Sequence, residues 1–376
     1  MPISPVIGSP AATQTARPTA VVYCEANFGR IDGKTANGLV RHSERYEILA
    51  VIDSEQAGLD SGIVLDGEAN AIPIRRDLDD ALRHARDLPE FFIFGLAPTS
   101  GMLSPLERDV LLEAMCRGLS IVNGLHEFLS EDPEFVAAAH RNDVQIIDIR
   151  RPRAKKDLRT FSGDILKVTC PRIAVLGTDC AIGKRTTATA LTRALNNSGL
   201  HAVLVGTGQT GLMQGALYGL ALDAVPSQFG AGEMEAAVVE AFEGEDPDVI
   251  IIEGQGALSH PAYSSSAFIL RGSRPDGVVL QHAPGRAQLS DFPMFDLPTP
   301  QSEIHLIETF ADTKVIGLTL NHENMTDAEV SAAIALYEAT LSIPVTDALT
   351  RSPERLLEMV LLAFPRLARK LTVVPS

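Results

Sequence analysis

The sequence predicts an α/β protein made of two parallel-sheet domains. Three observations carry this. Short apolar runs rich in β-branched residues recur along the chain. Stretches of helical composition separate them. One such run ends in a glycine-bracketed turn that opens onto Lys184 and a helix. The length of 376 residues suits two domains of ordinary size.

The first half supplies one set of alternating elements. Thr19–Tyr23 (TAVVY) reads as a strand, Thr35–His42 as a helix and Glu47–Asp53 as a second strand. Phe91–Leu96 (FFIFGL) reads as a third strand, followed by a helix near Pro105–Arg117 and strands at Leu119–Asn123 and Val144–Ile149. Strands joined through helices imply right-handed crossovers and a Rossmann-like N-terminal domain over residues 19–150. Asp53 ends the second strand, where such a domain holds a ribose. The expected GxGxxG is absent, because Cys24 to Gly33 reads CEANFGRIDG. A scaffold that shapes a cleft or an oligomer interface is therefore the plainer reading of this half.

Residues 1–18 are rich in Pro, Ala, Ser and Thr and read as a flexible arm. They lack the basic and apolar regions of a secretory leader. Residues 151–170 read as a linker. Arg150, Arg151, Arg153, Lys155, Lys156 and Arg159 cluster here, either as a solvated segment or as a basic rim facing a polyanion.

The alternation restarts in a second domain, residues 171–376. Arg172–Leu176, His201–Val205, Val249–Ile252, Val278–Gln281 and Val315–Leu320 read as strands. Lys184–Asn196, Met234–Phe242, Asp327–Leu341 and Pro353–Lys370 read as helices. The result is a doubly wound P-loop NTPase-like domain.

Composition narrows the function. With 32 Lys+Arg and 48 Asp+Glu, the net charge is −16. A nucleic-acid binder needs a basic face, so nucleic acid is not the expected partner. No apolar run approaches the length of a membrane span, so no membrane partner is expected. The four cysteines show no CxxC pairing, which points to reduced thiols and the cytoplasm, with no metal site expected. An acidic enzyme of this size is expected to form a symmetric homo-oligomer.

The strongest motif follows the Arg172–Leu176 strand: Gly177, Thr178, Asp179, Cys180, Ala181, Ile182, Gly183, Lys184, Arg185, Thr186 and Thr187. Glycines allow a tight turn whose N–H groups face one phosphate, and the helix N-terminus adds partial positive charge. Lys184 reaches outer phosphate oxygens, and Thr186 or Thr187 offers a hydroxyl. Relative to GxxxxGK[ST], the first glycine comes one residue early and Arg185 stands where the hydroxyl belongs.

Further along, Gly206–Gly211 (GTGQTG) formally matches GxGxxG, but reads as a loop beside the phosphate site, with Gln209 and Thr210 as polar contacts. Asp248–Pro261 (DVIIIEGQGALSHP) delivers Glu253 to a strand end near Asp179, and His260 follows as a proton acceptor. Gln281–Arg286 brings His282 and Arg286 to another strand end, and Leu318–His322 brings Asn321 to a third. Arg271 and Arg274 read as loop cations able to clamp a carboxylate.

These residues resemble known families. Gly-Thr-Asp-x-x-x-Gly-Lys is similar to the variant P-loop of dethiobiotin synthetase, where an Asn placed like Asn321 contacts adenine and a Glu-Gly-x-Gly segment matches that of Glu253. Over nearly the whole chain, Tyr23…Gly29, KTA at Lys34, AVID at Ala50, GTDCAIGKRTT, GTGQTG and EGQGALSHP resemble the D-glutamate N-acetyltransferase family, formerly of unknown function. That resemblance implies acetyl transfer from acetyl-coenzyme A to the amine of a dicarboxylic amino acid. Glu253, Asp179 or His260 would then be the base. Gln209, Thr210, Arg271, His282 and Arg286, with Arg185, would meet the substrate. Cys180 offers a covalent route as a less direct option. The resemblance to dethiobiotin synthetase implies instead an ATP- and Mg-dependent ligase with the metal at Thr186, Asp179 and Glu253. A nucleotide-binding regulatory protein is the third reading.

Overall fold

The computed structural model describes residues 17–98 and 100–372. Most of the expected N-terminal arm lies outside the described residues. The chain packs as two units. One runs from the N-terminal end of the described residues to Arg153 and also takes Gly208–Ala216. The other is Ala154–Thr207 with everything from Leu217 onward.

In the first unit, strands β1 (Thr19–Tyr23), β2 (Glu47–Ile52), β3 (Ile74–Arg75), β4 (Phe91–Phe94), β5 (Ser120–Asn123) and β6 (Ile146–Asp148) form one parallel sheet in the order β3-β2-β1-β4-β5-β6. This is the Rossmann-type order. Helices α1 (Lys34–Arg41), α2 (Ser61–Asp66), α3 (Leu78–His84), α4 (Pro105–Cys116) and α5 (Pro133–Asn142) connect the strands. Val21, Val22, Phe92, Ile93, Ile121 and Val122 are fully buried. That is why these strands read as unbroken apolar runs rather than as alternation.

Asp53 is fully buried and already satisfied. Its Oδ2 accepts from Phe28 N at 3.1 Å and its Oδ1 from Glu55 N at 3.0 Å. The position that holds a ribose in dinucleotide-binding domains here pins the chain's own loop after β1.

The segment expected as a loop carrying Gln209 and Thr210 is instead helix α7, Gln209–Gln214, and it belongs to the first unit. Thr210 Oγ1 lies 3.2 Å from Thr35 Oγ1. The Gln214 side chain donates to Gly38 O, and Gln214 O accepts from Glu44 N. The reason is apolar: Leu212 and Met213 are buried, which a solvated loop would not allow. Gly38 permits the approach, because a Cβ there would lie 2.9 Å from Thr210 Cγ2.

In the second unit, β7 (Arg172–Gly177), β8 (Ala202–Gly206), β9 (Tyr218–Gly219), β10 (Val249–Glu253), β11 (Gly277–His282), β12 (Val315–Leu320) and β13 (Val345–Asp347) form a parallel sheet, ordered β13-β12-β11-β7-β10-β8-β9. Helices α6 (Lys184–Asn197), α8 (Ser227–Glu245), α9 (Ser265–Ser273), α10 (Pro300–Phe310), α11 (Asp327–Leu341), α12 (Glu354–Ala363) and α13 (Pro365–Thr372) cover it. The expected single helix over 353–370 breaks at Phe364, since Pro365 cannot supply the N–H that a continuous helix needs.

The expected linker 151–170 is packed structure from Ala154 onward. Buried Glu235 of α8 accepts from Ser162 N at 2.6 Å, Gly163 N at 2.8 Å and Ile165 N at 3.1 Å. Arg159 pairs with Glu233 at 3.0 Å and with Glu240. In the first unit, Arg151 pairs with Glu131 at 3.2 Å, and Arg150 is buried with its Nε on Gly124 O at 2.6 Å. Much of the expected basic rim is therefore spent on the chain's own acceptors. Among the described residues, no helix is long and apolar enough to cross a membrane.

Candidate functional site

The site lies at the carboxyl edge of the second sheet, where α/β proteins place ligands. Strand register explains which residues meet there. Glu253 at the end of β10 pairs beside Val175 of β7, and Gln281 of β11 beside Gly177. His282 of β11 pairs beside Leu320, just before Asn321.

The loop Gly177–Gly183 is held by its carbonyls. Asp179 O accepts from Lys184 Nζ, Cys180 O from Arg286 Nη1 at 3.0 Å, Ala181 O from Arg286 Nη2 at 3.1 Å, and Ile182 O from Asn321 Nδ2 at 3.2 Å. Four successive carbonyls are thus drawn to donors. Gly183 then takes φ +98° as the N-cap of α6 and offers no side-chain cap. The first N–H groups of a helix have no intrahelical acceptor, so this end of α6 could receive an anion. Gly177 clears the path of Lys184, since a Cβ there would lie 2.8 Å from Lys184 Cδ. Burial pushes the Lys184 ammonium's pKa down, while Cys180, Asp179 and Glu253 favour its charged form.

Several expected contacts turn out to be internal supports. Asp179 is fully buried, with Oδ2 bound to Arg286 at 2.9 Å and to Ser290 N at 2.9 Å, and Oδ1 bound to Cys180 N at 2.7 Å. Both of its oxygens are thus occupied within the fold. Arg286 divides itself among Asp179, Glu323 and two loop carbonyls, so it straps the loop rather than presenting a free fork to a dicarboxylate. His282 is buried behind the loop, with Nδ1 2.9 Å from Thr178 Oγ1 and its ring edge-on to Tyr337; burial brings its pKa down to about 4. Asn321 uses both ends of its amide, donating to Ile182 O and accepting from Glu323 N at 2.9 Å. Asn321 thus braces the loop, and an adenine contact would use its second amide hydrogen or the second lone pair of Oδ1. Thr187 Oγ1 donates to Gln281 Oε1 at 2.6 Å, inside the fold. Arg271, on α9, lies over the Phe310 ring at 5.1 Å.

Glu253 and His260 remain at the site. Glu253 Oε2 accepts from Thr207 N at 3.1 Å, and the residue is buried. A ring nitrogen of His260, Sγ of Cys180 and a carboxylate oxygen of Asp179 lie within 4.8 Å of one another. The set is compact enough to hold a metal, but Asp179 already carries Arg286 as its cation. The magnesium set expected at Thr186, Asp179 and Glu253 meets the same obstacle.

Sequence reasoning missed Glu303 on α10. It is 1% exposed, and its carboxylate accepts from Leu258 N at 2.6 Å, Ser259 N at 3.2 Å and Ser259 Oγ at 2.6 Å. It fixes the turn that carries His260. Burial raises its pKa, against those hydrogen bonds. The segment Arg286–Leu297 was also missed. Leu289 N bonds Phe295 O and Leu297 N bonds Ala287 O, which folds it into a hairpin-like flap. It supplies Ser290 to Asp179, Asp291 to Tyr263 and Phe292 to the edge of the His260 ring. Nothing in local spacing signals these partners, which lie in distant parts of the sequence.

Comparison with known proteins places the chain. Residues 159–357 match the model for a domain of unknown function, the DUF1611_C P-loop domain, and residues 54–152 match DUF1611_N, a Rossmann-like domain. The chain belongs to the DUF1611 family. A DUF1611 protein of solved structure from Anabaena variabilis is 32% identical, covers 92% of this chain and 100% of its own, and superposes with a TM-score of 0.85. Two relatives carry the name D-glutamate N-acetyltransferase. The one from Pseudoalteromonas sp is 30% identical over 69% of this chain and 77% of its own length. The one from Tritonibacter scottomollicae is 29% identical over 71% and 79%. For a DUF1611 chain, the two-domain reading of the sequence is thereby established: a Rossmann-like N-terminal domain and a P-loop C-terminal domain.

Proposed function

We propose that the protein is an N-acetyltransferase that moves the acetyl group of acetyl-coenzyme A to the amine of D-glutamate. One observation supports this most. The four carbonyls from Asp179 to Ile182 are tied back, and the uncapped start of α6 with Lys184 is left for a polyphosphate. Coenzyme A carries such a group. The names of the two relatives suggest the acceptor and the group transferred; acetyl-coenzyme A as donor rests on the resemblance read in the sequence. Arg185, in place of the hydroxyl that follows the Lys in ordinary P-loops, favours phosphate held by cations over a magnesium nucleotide.

When bound, acetyl-coenzyme A supplies an activated acyl thioester. The chain's own residues do the rest. Lys184 and the α6 N-terminus hold phosphate oxygens. Attack needs a neutral amine, so a base must take the ammonium proton. Asp179 is spent on Arg286 and His260 Nδ1 on a backbone N–H; Glu253, at the end of β10 with Oε2 on Thr207 N, is our candidate for the base. The substrate's carboxylates need cations, for which Arg185, next to Lys184 at the start of α6, is our candidate. Cys180→Ala is expected to retain activity, since direct attack on the thioester needs no acyl-cysteine.

The test is incubation with acetyl-coenzyme A and D-glutamate, without ATP, following free thiol. Release that depends on D-glutamate is expected. Glu253→Gln should cut kcat by about a hundredfold or more. No release, together with ATP hydrolysis stimulated by an acid and an amine, would sink the acetyltransferase reading in favour of the ligase one. Tight nucleotide binding without turnover would favour a regulatory protein.

A further inference from the structure

His260 is packed against two aromatic rings. Its ring stacks on Tyr263 at a 4.5 Å centroid distance and 17°, and meets Phe292 edge-on at 5.6 Å. Its turn is fastened from below by Glu303. His260 Nδ1 accepts the Ala262 N–H at 3.2 Å. A backbone N–H can only donate, so Nδ1 must offer its lone pair. A neutral imidazole then carries its one proton at Nε2.

That Nε2 is buried and has no hydrogen-bond partner among the described residues, in a residue only 7% exposed. Leaving a buried donor unmet costs about 1–3 kcal/mol, so such a group is a place for a ligand's acceptor. One nitrogen of the same ring lies within 4.8 Å of a carboxylate oxygen of Asp179 and of Sγ of Cys180, which belong to the phosphate loop. Protonating the ring at Nδ1 would set two donors against each other. Burial also disfavours the imidazolium, outweighing Asp179 and Asp291 and acting in the same direction as Lys184.

We propose that His260 is a ligand-binding residue that stays neutral and donates its Nε2–H to a phosphate oxygen of the ligand cradled by the loop. It extends the anion site beyond the α6 N-terminus and Lys184, and it does not take the amine's proton. The proposal rests on the reading of the loop as a phosphate cradle. It holds for coenzyme A and for a nucleotide alike.

The test compares His260→Ala with His260→Gln, whose amide N–H can stand in for Nε2–H while carrying no titratable group. Calorimetry with coenzyme A should show Kd raised between about tenfold and a hundredfold in the first variant, and within about threefold of wild type in the second. Between pH 5.5 and 8, wild type and His260→Gln should show the same change in Kd, so that titration of the ligand, Asp179, Cys180, Asp291, Tyr263 and Lys184 cancels. At saturating coenzyme A, kcat should stay within a few-fold in both variants. Nitrogen-15 NMR should find His260 as the Nε2–H form, with that proton shifting when coenzyme A is added. Unchanged affinity in His260→Ala would overturn the proposal. So would affinity in wild type alone tightening as the pH falls through 6.5, or a kcat lost equally in both variants. If the protein binds ADP or pyrophosphate but not coenzyme A, the acetyltransferase reading fails, and the same variants then test His260 with that ligand. Absence of binding by all three anions would overturn both.

Discussion

Arg286 shows how much one side chain can organise. Its guanidinium reaches a buried carboxylate, a second carboxylate and two loop carbonyls. A lysine offers a point charge and cannot span that set. Arg286→Lys should therefore raise the Kd for coenzyme A by about tenfold or more in calorimetry, although the charge is kept. His282 yields a second outcome. Folded, its pKa lies near 4, against an ordinary 6.5. Between those values the unfolded chain binds a proton that the folded one refuses. The stability this contributes is complete above about pH 6.5 and is lost as the pH falls toward 4. The loss amounts to at most about 3 kcal/mol. Urea midpoints at pH 7.5 and 5 should converge for His282→Gln relative to wild type; an equal drop in both proteins would contradict this. Residue types at the site were legible in the sequence, since the loop, Glu253, His282, Arg286 and Asn321 all gather there. Their roles were not. Whether Arg286 faces a substrate or Asp179 depends on a pairing 107 positions apart in the chain, which no local spacing encodes.

At the scale of elements, the strands were the easiest to read. Buried on both faces, β7, β10, β11 and β12 are plain apolar runs. Short or polar elements were not. β3 has two residues, α9 begins in a serine run, and α7 hides in a glycine-rich match to a nucleotide motif. The segment 151–170 looked like a linker because its charges resemble a solvated surface, whereas α8 supplies the acids that order it. Glu235→Ala would strand three backbone N–H groups, at Ser162, Gly163 and Ile165. It should cost about 3 kcal/mol or more in urea unfolding. A change within about 0.5 kcal/mol would show that water replaces the carboxylate.

Over the whole molecule, the proposed function asks a net charge of −16 to accommodate an anionic ligand. Attraction therefore has to be local: Lys184, Arg185 and the start of α6. Lys184→Met should weaken coenzyme A binding far more than removing exposed acids such as Glu131 or Asp327; similar losses from both would contradict a local island. One further consequence follows from α7. The chain leaves the second unit after Thr207, builds nine residues into the first, and returns at Leu217. Neither unit is a single stretch of polypeptide. A protease that cuts after Arg153 frees an N-terminal fragment without the helix that seats Leu212 and Met213. That fragment keeps the bare Gly38 ridge exposed, and the remainder keeps a helix with nowhere to fold. The two units thus depend on each other for their own completeness, and a gene encoding either half alone encodes an unfinished domain.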